Sequence, residues 1–253
     1  ATLKFKPLPA GTQTFDFKEM PDDTGWNIYG VRLDGKRPSV TIPQNLLQQK
    51  LDFNQPLPST TPAFGTSKVH IQLLGYKAEY KPTIILEASN AFSPRSERMH
   101  LDGMTIHEDG TCEEVVNLVL PMHSNLTINH YQIPIVLIPN GTLNITINMP
   151  EVAMANTHLF NAQQMPQFIW FEGDYAGLNT ELQQTKGLTD LFVDSFYEDI
   201  CGMTPEQYKE YLAKVYQNNA SSIEKNEQIS TSCKDYVQAL LDMSYISTLY
   251  SYK

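Results

Sequence analysis

Residues 133–148 read IPIVLIPNGTLNITIN, and this stretch predicts two β-strands joined by a tight turn. In its second half, the apolar residues at 143, 145 and 147 alternate with Thr or Asn at 142, 144 and 146. Such alternation gives a strand one apolar face and one polar face. Asn140-Gly141 separates the two halves, and this dipeptide readily adopts the positive φ angles that hairpin turns require. We therefore expect a β-hairpin with one buried face.

Further strand and turn signals extend the β-rich region towards the N-terminus. The apolar residues at 69, 71 and 73 alternate with His70 and Gln72, and Asp109-Gly110 has the composition of a second tight turn. Together these patterns predict an antiparallel β-sandwich over residues 68–150, with an open barrel as the alternative.

The residues before the sandwich divide into two parts. Residues 51–67 include the proline-rich stretch QPLPSTTP, which predicts an exposed linker. In residues 1–50, a segment from Trp26 leads into Asp34-Gly35, and Val40 and Ile42 follow this turn, so we expect a leading hairpin. A hairpin this short must pack on the sandwich or on an upstream β-domain. Trp26 is expected to be buried in either case.

The spacing of apolar residues becomes helical in residues 151–253. Thr204-Pro205-Glu206-Gln207 combines a capping hydroxyl, a proline at the first helical position and a glutamine that completes a capping box. Two apolar stripes are expected to face the core: Tyr208, Tyr211, Leu212, Val215 and Tyr216, and, in the last helix, Tyr236, Leu240, Met243, Ile246 and Tyr250. The predicted fold class is α+β, an antiparallel β-sandwich followed by a helical region.

Charge limits the classes of partner. The 253 residues carry 18 basic and 28 acidic side chains, a net charge of −10. This charge repels nucleic-acid phosphates and anionic lipids, so we expect no nucleic-acid partner. The composition also predicts no transmembrane segment in this chain.

The three cysteines, Cys112, Cys201 and Cys233, have neither a CxxC nor a metal-ligand spacing. Cys201 follows a predicted helix, where the helix dipole disfavours a thiolate. Cys112 and Cys233 are expected to act as small apolar core residues. The cysteines therefore predict no dithiol–disulfide exchange by this chain.

Two acidic clusters have a functional and a structural interpretation. His107-Glu108-Asp109 offers metal-binding groups, but short polar side chains are also typical of the tight turn in which it lies. Asp190, Asp194 and Glu198 share one helix face, and such faces are usually solvated. The structural interpretation is favoured for both, and we assign no catalytic residue, cofactor or metal ligand.

Seven segments carry a resemblance to a known family: residues 5–17, 26–35, 69–76, 107–111, 136–141, 171–179 and 245–250. In this order they resemble the β-domain and helical region that precede the thioredoxin domain in Bacteroidetes cell-envelope proteins of the TlpA-like thiol-disulfide oxidoreductase group. The active CxxC of that family lies in the thioredoxin domain, and this sequence lacks the motif. The resemblance therefore transfers no catalytic residue to this chain.

The resemblance implies a non-catalytic accessory region of an extracytoplasmic protein, in the periplasm or at the cell surface. Such a region would position a thioredoxin-like domain, in cis where the parent gene is longer, or dock a protein client. The contact surface expected from the sequence is the aromatic end of the last helix: Tyr245, Leu249, Tyr250 and Tyr252.

Two other functions remain open from the sequence. One is a cell-surface module that binds glycan or peptide on the sandwich through exposed aromatic side chains, with Tyr76, Tyr80, Phe92 and Tyr131 as candidates. Packing in the core or at a sheet edge is the favoured explanation of these four residues. The other is an enzyme whose polar groups converge only in the folded structure.

Overall fold

The computed structural model describes residues 4–19, 27–36, 38–89, 98–100, 103–156, 167–191, 200 and 202–250. Its strands are β1 (Thr14–Lys18), β2 (Asn27–Arg32), β3 (Gly65–Leu74), β4 (Ile84–Ser89), β5 (Arg98–His100), β6 (Thr111–Leu118), β7 (Met122–Ile128), β8 (Tyr131–Leu137), β9 (Thr142–Asn148) and β10 (Ile169–Gly173). Its helices are α1 (Gln44–Leu47), α2 (Met149–Asn156), α3 (Ala176–Leu182), α4 (Pro205–Lys225) and α5 (Thr231–Tyr250), with a 3₁₀ turn at Ala78–Tyr80.

Two four-stranded sheets form the β-rich part. The first sheet has the strand order β10-β9-β3-β6, and the second has the order β5-β4-β7-β8. Alternate residues of both sheets form one apolar core cluster, which includes Val69 and Ile145 of the first sheet and Leu86 and Ile135 of the second. The α+β prediction is confirmed, and the arrangement is consistent with a sandwich. One strand pair differs from the antiparallel prediction, because β3 and β9 pair in parallel.

The turn at Asn140-Gly141 exists, but the hairpin predicted around it is wrong. Asn140 has a φ of 61°, and the Gly141 N–H donates to the Ile138 carbonyl over 3.1 Å. The strands on its two sides belong to different sheets, so the turn passes the chain across the core. The Asn-Gly dipeptide indicates only a tight turn with positive φ, and a connection between two sheets can use the same turn. The hairpin of this region is instead β7–β8, which turns at Asn129 with a φ of 53°.

The leading segment also pairs differently from the prediction. Strand β2 pairs with β1, upstream of it, and the residues around Val40 and Ile42 form no strand. Pro38 and Pro43 flank those residues, and each proline lacks the N–H that a ladder needs. The segment packs on the 3₁₀ turn before β4, where Tyr29 stacks on Tyr80 with ring centroids 5.4 Å apart.

Two further expectations concern residues 1–67. Residues 55–62 are mostly exposed and lack regular structure, as expected of a linker, but β3 already begins at Gly65. The predicted burial of Trp26 falls outside the described residues.

Helices α3 to α5 lie in the predicted helical region, but strand β10 (Ile169–Gly173) also lies there and pairs with β9 of the first sheet, so the predicted boundary at residue 150 does not separate sheet from helices. The capping box at the start of α4 is present, because the Thr204 hydroxyl accepts from the Gln207 N–H and the Gln207 side chain accepts from the Thr204 N–H. Tyr208 and Leu212 of the predicted α4 stripe are buried. The predicted α5 stripe is wrong, because the buried positions are Cys233, Val237, Leu241 and Thr248. Apolar residues occur all round this helix, so its pattern does not select one face.

Helix α3 joins the helical region to the second sheet through Asn179, which is fully buried. The Asn179 side-chain oxygen accepts from the Val136 N–H over 2.7 Å, and its amide nitrogen donates to the Val136 carbonyl over 3.3 Å. Val136 lies on β8, an edge strand of the second sheet in the described structure. One side-chain amide thus replaces the neighbouring strand that this edge lacks.

Gln183, one turn after Asn179, acts on the same edge at Pro134. Its side-chain nitrogen donates to the Pro134 carbonyl over 2.9 Å. The Gln183 side-chain oxygen is buried and has no hydrogen-bond partner among the described residues. Proline has no N–H, so this position of β8 offers an acceptor and no donor. At Pro134 the Gln183 amide therefore uses only its nitrogen, whereas at Val136 the Asn179 amide uses both its nitrogen and its oxygen.

Residues 171–179, one of the segments that carry the family resemblance, position α3. A Cβ on Gly173 would lie 2.4 Å from the Thr142 carbonyl oxygen, and a Cβ on Gly177 would lie 2.3 Å from that of Asp52. The Asp174 carboxylate accepts from the Thr142 N–H over 2.8 Å. Gly173 and Asp174 therefore hold the chain before α3 close to β9, and Gly177 lets α3 approach the backbone of Asp52.

We expect Asn179→Ala to lower the free energy of unfolding by about 3 kcal/mol, since it leaves the Val136 N–H and C=O buried without partners. Asn117→Ala, on the exposed side of β6, is the matched control and should change it by less than about 0.5 kcal/mol. Urea unfolding measures both changes. Equal effects of the two substitutions would contradict the edge-pairing role of Asn179.

Candidate functional site

The contact surface predicted from the sequence is only partly exposed. Tyr250 is 85% exposed, whereas Tyr245 and Leu249 are half-buried and pack against the helical core. The Tyr245 ring lies 4.9 Å from that of Tyr216, between centroids. Tyr252, the fourth predicted residue, lies outside the described residues. Of the three described residues, Tyr250 alone is mostly exposed.

The structure adds two residues to this surface. Met243 and Ile246 are 68% and 55% exposed. Ile246 lies three residues after Met243 and four residues before Tyr250, and this spacing places the three side chains on one face of α5. We call Met243, Ile246 and Tyr250 the exposed face of α5. Tyr250 was predicted both for the contact surface and for the buried stripe, and Met243 for the buried stripe alone.

The helix that carries this face is fixed at both ends. At its start, the buried Glu181 carboxylate of α3 accepts from the Ser230 hydroxyl over 2.6 Å, and the Ser230 oxygen accepts from the Cys233 N–H over 3.2 Å. Ser230 thereby caps α5. Near the other end, the buried Tyr208 hydroxyl donates to the Thr248 carbonyl over 2.9 Å. The exposed face of α5 is thus presented on a helix anchored to α3 and α4.

The two described cysteines are not nucleophiles. Cys112 and Cys233 are both fully buried. Burial raises the pKa of the Cys112 thiol to about 11. Burial, with a smaller contribution from Glu181, raises the pKa of the Cys233 thiol to about 12. Both thiols stay protonated at neutral pH, as expected of core residues, and Cys201 lies outside the described residues.

The turn interpretation of His107-Glu108-Asp109 is supported. The Asp109 carboxylate accepts from the Thr111 hydroxyl over 2.6 Å and from the Thr111 N–H over 3.0 Å, and these bonds lower its pKa. Within the part of the chain that the structure describes, no group of three or more His, Cys, Asp or Glu side chains could hold a metal ion. Asp190 is exposed, and Asp194 and Glu198 lie outside that part.

The aromatic residues considered for glycan stacking are engaged in packing. Tyr80 stacks on Tyr29, and Tyr76 packs against the core between the sheets. Tyr131 contacts Phe168, with centroids 5.5 Å apart, and the Lys186 ammonium lies 3.7 Å from the centroid of its ring. Phe92 is outside the described residues.

His123 lies where the helical region meets the second sheet. It points outward from β7, and its Nδ1 lies 3.5 Å from the Tyr236 hydroxyl of α5. Burial lowers the pKa of this imidazole. The ring is therefore neutral at pH 7, and its protonation would place an uncompensated charge between β7 and α5.

Comparison of the chain with protein-family models, curated proteins and solved structures finds no match in any of the three. Of the helices in the described residues, none combines the length and the apolar character needed to cross a bilayer.

We expect His123→Gln to reduce the pH dependence of stability in mild acid. The folded pKa of His123 is below its ordinary value of 6.5, so the unfolded chain binds this proton first. The stability that depends on the neutral ring is present above about pH 6.5 and is lost as the pH falls through the folded pKa. Urea unfolding over this pH range measures the difference between wild type and variant.

His107→Gln is the matched control, because His107 is exposed. It should keep the pH dependence that His123→Gln removes. An unchanged pH dependence in His123→Gln would show that this imidazole is not desolvated between β7 and α5.

Proposed function

We propose that this chain is a non-catalytic accessory region of an extracytoplasmic thiol-disulfide oxidoreductase-like protein, and that it positions a thioredoxin-like domain. The single observation that carries the proposal is the exposed face of α5, where Met243, Ile246 and Tyr250 are more than half exposed. Residues 245–250 also belong to the segments that resemble the region preceding the thioredoxin domain in the TlpA-like group.

The chemistry of this face suits a protein interface. Covering an exposed apolar side chain of this size contributes about 1.5–3 kcal/mol. Methionine and tyrosine are enriched in the cores of interfaces between proteins. Because Ser230 and Tyr208 already fix the helix, a partner domain loses little affinity to ordering it.

The state of the thiols supports an accessory role. Cys112 and Cys233 are buried and protonated, so the thiol chemistry of the parent protein belongs to the partner domain in this proposal. The proposed location, in the periplasm or at the cell surface, rests on the family resemblance.

Oxidation of Met243 tests the proposal. Met243 is 68% exposed, whereas Met104 and Met122 are 7% and 9% exposed, so dilute peroxide should oxidise Met243 much faster than these two in the isolated chain. In the natural gene product, with its thioredoxin-like domain, the oxidation of Met243 should slow at least about tenfold, since the partner covers it. Mass spectrometry of the peptides measures the rates.

Ile246→Lys and Val115→Lys form a matched pair for this experiment, because both wild-type side chains are 55% exposed. Ile246→Lys should restore fast oxidation of Met243 in the natural gene product, and Val115→Lys should not. Equal oxidation rates with and without the thioredoxin-like domain, or a gene that encodes no such domain, would contradict the proposal. Protection that appears only when a reduced client protein is added would assign the face to client docking instead.

A further inference from the structure

A row of polar side chains crosses the outer face of the first sheet. Strand register places Glu172 of β10 beside Asn144 of β9, Asn144 beside His70 of β3, and His70 beside Glu113 of β6. His70 and Glu113 are in contact, with Nδ1 and Oε1 2.8 Å apart. With strands about 4.8 Å apart, the row is about 14 Å long.

Two shallow cavities lie along this row. One, of about 280 Å³, is lined by Glu172 together with Gln49, Lys50, Asp52 and Gln55. The other, of about 230 Å³, is lined by Asn144, His70, Glu113, Gln72, Thr111 and Thr146. Glu172 of the first cavity and Asn144 of the second are register partners on neighbouring strands. We call the pair, with the polar row, the outer groove.

The outer groove offers hydrogen-bonding groups of mixed kind. Four are side-chain amides, those of Gln49, Gln55, Gln72 and Asn144, and the Gln72 nitrogen already donates to the Asp109 carbonyl over 3.1 Å. The side-chain oxygen of Gln49 is buried and has no hydrogen-bond partner among the described residues. Because this oxygen has almost no solvent-accessible surface, it is not among the groups that the open groove presents to a ligand.

The charges of the groove restrict the ligand. Asp52, Glu172 and Glu113 contribute three carboxylates, and Lys50 is the one lysine in either lining. This balance repels phosphates, uronates and other anions. Amides and carboxylates along an open groove are suited to hydroxyl groups, which both donate and accept hydrogen bonds.

We propose that the outer groove binds a neutral oligosaccharide of a few sugar units. Trp170 projects from the same face of β10 but is only 3% exposed, so it offers no stacking surface. Binding therefore depends on hydrogen bonds to the amides and carboxylates, and the expected affinity is in the millimolar range. The outer groove shares no residue with the exposed face of α5, so this proposal and the proposed function succeed or fail separately.

Side-chain amide resonances of the ¹⁵N-labelled chain provide the test. The neutral probes are cellotriose, maltotriose, xylotriose and mannotriose, each at millimolar concentration. The charged probes are trigalacturonate and trilysine. At least one neutral trisaccharide is expected to shift the side-chain amides of Gln72 and Asn144 in a saturable manner, and trigalacturonate is expected to shift neither.

Asn144→Ala should weaken this binding about fivefold, as expected for the loss of one or two neutral hydrogen bonds. Glu172→Gln tests the other cavity and should weaken it as well. Asn117→Ala is the matched control, because Asn117 lies on the same face of β6 and lines neither cavity. The proposal is overturned if no neutral trisaccharide shifts these amides, if trigalacturonate binds equally well, or if only trilysine binds, which would indicate a basic peptide.

Discussion

The described structure depends on the contact between helix α3 and the edge of strand β8. An unpaired edge presents backbone N–H and C=O groups that must find partners or water. Asn179 supplies a donor and an acceptor to Val136, and Gln183 supplies a donor to Pro134. The two amides thus complete the sheet with side chains. They also fix where the helical region sits, because α3 is buried along most of its length.

Strand β8 consequently takes part in two cores. Its Ile135 and Leu137 point between the sheets, while Val136, between them, belongs to the apolar cluster of the helices. Helix α3 also fixes the start of α5, because its Glu181 carboxylate accepts a hydrogen bond from Ser230, the residue that caps α5. The orientation of the exposed face of α5 therefore follows from contacts that begin at the sheet edge. The outer face of the first sheet carries the polar row of the outer groove.

The sequence predicted those elements whose signals lie within a few consecutive residues. Alternation identified β3 and β9, and three agreeing signals placed the start of α4 at Pro205. Strand pairing was not predictable in the same way, because the Asn140-Gly141 turn does not determine whether the two strands beside it pair with each other. The parallel pair β3–β9 brings together residues more than seventy positions apart, and no local pattern encodes it. Met243 and Ile246 were assigned to the buried stripe because apolar residues surround that helix and do not mark one face.

The candidate sites show the same limit. The outer groove takes Glu113, His70, Asn144 and Glu172 from four separate strands, so no linear motif marks it. Asn179 looks like an ordinary helix residue in the sequence, and its role appears only when Val136 is placed beside it. By contrast, the structural interpretation of Asp109 was accessible, since turn chemistry acts within a few residues.

Native-state hydrogen exchange tests the central claim, that α3 holds the sheets and the helices together as one cooperative unit. The amides of Val136 in β8 and of Leu241 in α5 should exchange with the same free energy of opening and the same dependence on urea, because neither element keeps its core without the other. Exchange of the α5 amides through an opening of lower free energy, with β8 still protected, would contradict this claim.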